Sequence, residues 1–196
     1  MTYWDEIRRK LIHLSSIAFP LVYWATNREF MLWVLIPLCV IAVLIEALRR
    51  YHPRCRDFID RWLGRVIRKA EAETFTGATY VTIGALLAII LFPEPIAITV
   101  LLFLSISDAL ASLIGIRFGR IHFLGKSLAG SSAFFLSAAA IALFMLPDRP
   151  RVALLGALIG TIVEALPIQI NKQKLDDNLT IPLVTGIAMM GLERVL

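Results

Sequence analysis

The chain is poor in the residues from which disulfide scaffolds, zinc sites and hydrolase centres are built. It has two cysteines, Cys39 in an apolar run and Cys55 in a basic stretch, which excludes a disulfide framework and any need for an oxidising compartment. Of its three histidines, His52 and His122 have no second His or Cys at metal-ligand spacing, so a zinc centre is excluded. No Gly-x-Ser-x-Gly or comparable hydrolase signature occurs. Charge is scarce as well: 18% of the 196 residues are charged against 58% hydrophobic. With a mean hydropathy of +0.76, this exceeds what a soluble domain carries and points to a membrane protein.

The apolar residues fall into seven stretches near the length that a bilayer core of about 30 Å requires. They are Leu11–Thr26, Phe30–Leu48, Gly77–Phe92, Ile96–Ile116, Leu128–Leu146, Val152–Ile170 and Leu179–Val195, with six spans as the alternative count. The first follows Arg8, Arg9 and Lys10 as a signal peptide would, but it runs into "YWATNREF" without a small-x-small cleavage site and reads as a retained span. Sixteen of the twenty Lys and Arg residues lie on one side of this arrangement; only Arg28, Arg149, Arg151 and Arg194 lie on the other. The positive-inside rule then puts the N-terminus in the cytoplasm and the C-terminus outside. The basic excess is accounted for by topology and calls for no nucleic-acid partner.

Between spans 2 and 3, "CRDFIDRWLGRVIRKAEAE" places apolar residues at helical spacing among arginines and acids. An amphipathic helix over about 55–72, lying on the cytoplasmic face against the lipid bilayer, is expected. The fold class is therefore all-α: one polytopic integral membrane domain over 1–196, with about seven transmembrane helices and one interfacial helix.

Ionisable groups inside such spans are costly and mark pathways or sites. Arg9, His13 and Ser16 share one face of span 1, with Lys10 three residues before His13. Ser105, Asp108, Ser112 and Gly115 form a stripe on span 4. Glu164 continues the face of Gly156 and Gly160 on span 6, where the glycines themselves read as packing devices. Asp176, Asp177 and Asn178 stand where span 7 begins, as an N-cap or as oxygen ligands that with Asp108 would suit Mg²⁺. Glu46, beside Arg49 and Arg50, reads as an interfacial ion pair.

"GRIHFLGKS" at 119–127 resembles a P-loop, but five residues separate Gly119 from Gly125-Lys126 where that motif has four. The preceding "ITVLLFLSISDALASLIGI" is an apolar span and not a strand. Gly125, Lys126 and Ser127 nevertheless stand at a helix N-terminus, whose unpaired N–H groups and dipole suit a phosphate.

"RRKLIH" at 8–13, "SDALASLIGIRFGRIHFLGKSLAGS" at 107–131 and "EALPIQINKQKLDDNLTIPLVTG" at 164–186 together resemble the CTP-dependent lipid-alcohol kinases: dolichol kinase, phytol kinase and yeast-type diacylglycerol kinase. The resemblance implies transfer of the γ-phosphate of CTP to the hydroxyl of a membrane lipid alcohol. It places the family's key positions on Arg9, Lys10, Asp108, Gly115, Lys126 and Asp176–Asp177–Asn178. Ser107 stands where the family usually has glycine. On this reading Asp108 with Asp176 or Asp177 holds Mg²⁺, and Arg9, Lys10 and Lys126 clamp phosphate oxygens. Ser112, Gly115, Gly125, Ser127 and Asn178 line the nucleotide, while Asp108, Glu164 and His13 are the alternatives for the proton acceptor.

Spans 4 and 5 also look like phosphatidate cytidylyltransferase, whose C-terminal signature this chain lacks. A small transporter is the third alternative. It would spread polar groups through the bilayer depth, whereas here they cluster toward the cytoplasmic side.

Overall fold

The computed structural model describes residues 3–63, 75–166, 169–170 and 173–196. Among the described residues ten α-helices run in chain order: α1 (Tyr3–Leu14), α2 (Ala18–Ala25), α3 (Arg28–Tyr51), α4 (Pro53–Leu63), α5 (Gly77–Leu91), α6 (Glu94–Leu102), α7 (Asp108–Phe118), α8 (Leu128–Met145), α9 (Pro150–Ala165) and α10 (Asp177–Glu193). Two short antiparallel strand pairs interrupt them, β1 (His122–Phe123) with β2 (Lys126–Ser127) and β3 (Gln169–Ile170) with β4 (Gln173–Lys174). Among the described residues three helices are long and apolar enough to cross a membrane, Arg28–Tyr51, Glu94–Phe118 and Leu128–Met145. These apolar helices mark a helical membrane protein. Gly77–Leu91 is shorter; at about 1.5 Å per residue its 15 residues span roughly 22 Å.

Helices α6 and α7 are one continuous rod joined by a π turn over Phe103–Ser107, and this rod is the hub of the bundle. α1, α2, α5, α8 and α10 all pack on it, and Phe103 meets Phe134 edge-on inside, ring centroids 6.2 Å apart. α3 packs on α5, and Met31, Leu35 and Cys39 are buried on it. The opposite flank, with Trp33 and Leu44, is exposed as a lipid-facing surface would be.

Local sequence explains the interruptions. Pro20 has no N–H to give the carbonyl four residues back and its ring crowds that carbonyl, so Ser15–Ile17 tightens to a 3₁₀ turn between α1 and α2. Asn27, Ser127 and Asp176 cap α3, α8 and α10, each side chain accepting a backbone N–H of the first turn. At the opposite end of α5, Arg28 donates to the carbonyls of Ile89, Ile90 and Phe92 at 2.8, 2.9 and 3.0 Å, satisfying groups a helix leaves unpaired.

One expected boundary is corrected. The sixth apolar stretch was expected to run through to Ile170, but α9 stops at Ala165 and Leu166 is extended. Leu166 precedes Pro167, and a residue before proline is driven out of the α region. Of the helix expected over about 55–72, the part up to Leu63 is seen in α4; residues 64–72 lie outside the described residues.

Candidate active site

The charged groups that interrupt the apolar runs meet in two clusters. In the first, α1 lies against α7 and the π turn, which brings Lys10 onto Asp108 across 98 positions of sequence. The Lys10 ammonium donates to Asp108 Oδ2, and both side chains are about one-twentieth exposed, at 4% and 5%. His13 stands one turn further along α1, its Nε2 at 3.5 Å from the same oxygen and 2.8 Å from the carbonyl oxygen of Leu104. Ser16, the next residue on that face, shares a 2.8 Å hydrogen bond with Ser105.

The second cluster is centred on Lys126, presented by β2 at the start of α8. Its ammonium donates to Glu164 Oε1 of α9 at 2.8 Å and to Asp177 Oδ2 of α10 at 3.4 Å. Glu164 is buried, and its other oxygen has no hydrogen-bond partner. Burial works against the Lys126 charge, but the carboxylates of Asp177, Glu164 and Asp108 outweigh it and hold its pKa above the ordinary lysine value. The Asp108 charge thus acts on Lys126 as well as on its direct partner Lys10 and couples the two clusters electrostatically.

The loop that carries Lys126 is a tight hairpin, with His122 opposite Ser127 and Phe123 opposite Lys126. Its turn puts Leu124 at φ 53°, a left-handed conformation that costs a branched residue energy and is held here by its neighbours. One such restraint is the Gly125 N–H, which donates at 2.8 Å to the carbonyl of Ala165, at the end of the helix that supplies Glu164.

No protein-family model matches the chain, and no solved structure does. Among known proteins it is 33% identical to an uncharacterized protein of Rickettsia prowazekii, over 91% of this chain and 90% of that one. It is 29% identical to CTP-dependent diacylglycerol kinase 1 of Saccharomyces cerevisiae, over 94% of this chain and 72% of the yeast protein. A probable chloroplastic phytol kinase of Triticum aestivum is 28% identical over 92% of this chain and 65% of its own length. The chain belongs to the CTP-dependent lipid kinase family.

In this lipid kinase several residues expected at the nucleotide have packing partners of their own. Gly115 lies where α7 crosses the start of α8: a Cβ there would stand 2.9 Å from Ser127 Oγ and 3.6 Å from the Gly130 Cα, so close helix approach is sufficient reason for glycine. Ser127 Oγ accepts the Gly130 N–H at 3.2 Å as a helix cap. Asp176 accepts the Asn178 N–H at 3.0 Å, and the Asn178 amide points to the carbonyl of Gly77 at 3.4 Å. Ser112 is half-buried on α7. Asp177, and not Asp176, is the member of that pair whose carboxylate meets Lys126.

The kinase also has a feature that reading the sequence missed. A cavity of about 470 Å³ opens between α1, α3 and α5, walled mainly by apolar side chains and ending at Arg9, His13, Glu46, Arg49 and Asn178. Glu46 is buried in its wall and not at an open interface. Its Oε2 accepts from Arg49 Nε at 2.9 Å, and its Oε1 accepts the Thr76 N–H at 2.7 Å and the Thr79 hydroxyl at 3.3 Å. The available signal was the i, i+3 spacing of Glu46 and Arg49 with a hydroxyl-rich "TFTGAT" opening the next helix.

Proposed function

We propose that this enzyme transfers the γ-phosphate of CTP to the hydroxyl of a membrane lipid alcohol, a polyprenol, phytol or diacylglycerol, at the cytoplasmic face of the cytoplasmic membrane. The observation that carries this reading is the pair of lysine–carboxylate clusters, Lys10–Asp108 and Lys126–Glu164–Asp177, at adjoining places in an apolar bundle. Phosphoryl transfer asks a protein mainly for positioning and charge neutralisation, because the transition state spreads negative charge over the phosphoryl oxygens. Two ammonium groups already fixed by carboxylates meet that demand without reorganising.

The donor set also fits a hard cation. Glu164 offers a buried oxygen without a partner, and Asp108 and Asp177 add further carboxylate oxygens around Lys126. Among the described residues no three acidic, His or Cys side chains converge as a complete cage. Mg²⁺ needs none, since one or two protein carboxylates suffice when phosphates and water fill the remaining places. Asp177, with Glu164 or Asp108, would hold it, and when bound it supplies neutralisation of the phosphate oxygens. Lys126, Lys10 and Arg9 then orient the triphosphate, and a neighbouring base takes the proton of the attacking hydroxyl.

The seven apolar segments are proposed to cross the membrane as α1–α2, α3, α5, α6–α7, α8, α9 and α10 in one domain, with α4 on the cytoplasmic surface. The one-sided distribution of Lys and Arg supports this orientation. Single-cysteine labelling tests it: in a cysteine-free background, Asp148→Cys should react with an impermeant maleimide from outside intact cells, and Arg120→Cys only after permeabilisation.

The chemistry is tested with purified protein, Mg²⁺ and CTP carrying label in either the α or the γ phosphate, offered lipid alcohols and phosphatidic acid. γ-Label in an alcohol phosphate is the expected outcome. α-Label in lipid would make the protein a cytidylyltransferase, and no transfer to any acceptor would return the transporter reading.

A further inference from the structure

The cavity between α1, α3 and α5 adjoins the first charged cluster, and His13 and Ser16 belong to both places: they line the cavity, and the His13 Nε2 approaches Asp108. A carbonyl oxygen only accepts, so the 2.8 Å bond to Leu104 fixes the imidazole proton on Nε2 in the neutral ring. Nδ1 is then the basic nitrogen. The walls of the cavity include Ile12, Leu38, Ile41 and Ile45, which are themselves exposed on the apolar flank, at 52%, 38%, 52% and 48%. The cavity thus opens sideways toward hydrocarbon and closes on a polar end.

We infer that this cavity is the acceptor-lipid site, taking one hydrocarbon chain of the lipid alcohol from the bilayer and bringing its hydroxyl to His13 Nδ1. The inference rests on the kinase reading for the reaction, though not for the binding. At about 30 Å³ for a group the size of water or a methylene, the 470 Å³ space holds roughly sixteen carbon-sized groups. That is one chain; a second acyl chain or a longer isoprenoid tail stays in the surrounding lipid. In the reaction the alcohol oxygen forms a bond to the γ-phosphorus, the bond from that phosphorus to the bridging oxygen of CDP breaks, and the hydroxyl proton passes to Nδ1. CDP leaves with the electron pair of the broken bond.

The test uses the full chain in detergent–lipid micelles with diazirine-bearing phytol and diazirine-bearing diacylglycerol as photoprobes, the adducts being located by peptide mass spectrometry. Adducts on peptides of α1, α3 and α5 are expected. Ala42→Trp, which fills the cavity from α3, should remove them and raise KM for the alcohol about tenfold with KM for CTP unchanged. Leu44→Trp on the exposed flank of the same helix should change neither. Adducts that map elsewhere, or that persist in Ala42→Trp, would overturn the inference whether or not the wild type is active. Wild-type protein that gives the cavity adducts but transfers no γ-phosphate would defeat the kinase reading alone.

Discussion

His13 Nε2 donates at 2.8 Å to the carbonyl of Leu104, an oxygen that a regular helix would have given to the amide of Asp108. The π turn makes it available: the Asp108 N–H reaches back five residues to Phe103 and leaves the Leu104 carbonyl free to turn outward. π-Bulges of this kind are rare and concentrate at functional sites, since they expose a backbone group at the expense of helix regularity. Here the bulge orients the imidazole and starts the turn that carries Asp108.

His13→Gln is the substitution that separates orientation from proton transfer. A glutamine amide can take over the donor to Leu104 but offers no base. With the protein folded and KM for CTP little changed, kcat should fall by about 10²–10⁴-fold. Activity within a few-fold of wild type would remove His13 from the proton-transfer step.

Asp108 is buried against Lys10, and breaking such a pair from one side typically costs about 3–5 kcal/mol because the other charge is left uncompensated. Asp108→Asn should therefore lower thermal stability as well as abolish turnover. Adding Lys10→Met removes the stranded ammonium, so the double variant should regain much of the stability and none of the activity. If stability and activity returned together, Asp108 would be a structural partner of Lys10 and no more.

Asp108 and Glu164 were legible because a charge inside an apolar run stands out against a medium that penalises it, and Lys10 and Lys126 because they stand in the motifs that carry the resemblance. Their pairing was not, since partners 98 and 38 positions apart carry no local signal. Nothing in "FLSIS" announces a π turn, and the cavity is assembled from segments as distant as Ile12 and Asn178. The misjudged end of the sixth span has a different cause: counting apolar residues ran past Pro167, a local stop that outweighs hydropathy. Gly115, expected at the nucleotide, shows the converse, a motif position with a sufficient packing reason.

Lys126 has its pKa raised by Asp177, Glu164 and Asp108 in spite of burial. The folded value lies above the unfolded one, near 10.4. Its stabilising contribution is thus complete below that pH and is lost only as pH rises through the folded value. The difference in unfolding temperature between wild type and Lys126→Met should accordingly stay level between about pH 6 and about pH 9. Lys126 should add no alkaline limb to the activity profile over the same range. A stability difference that shrinks steadily across that interval would show that the carboxylates do not hold the ammonium in this way.

The contact between α5 and α10 can be tested apart from any charge. A Cβ on Gly84 would stand 2.5 Å from the carbonyl oxygen of Asn178, and a backbone atom cannot swing aside as a side chain can. Gly84→Ala must push the first turn of α10 away from α5, and overpacking of this kind costs about 1–3 kcal/mol. Because Asp177 opens that same turn, the shift should also draw its carboxylate from Lys126 and lower activity. Gly191, near the other end of α10, has nothing within 4 Å of a built Cβ. There alanine only replaces a poor helix former with a good one, a gain of up to about 1 kcal/mol. Thermal unfolding of the two variants should thus move in opposite directions, and equal shifts would mean that the α5–α10 contact does not constrain residue 84.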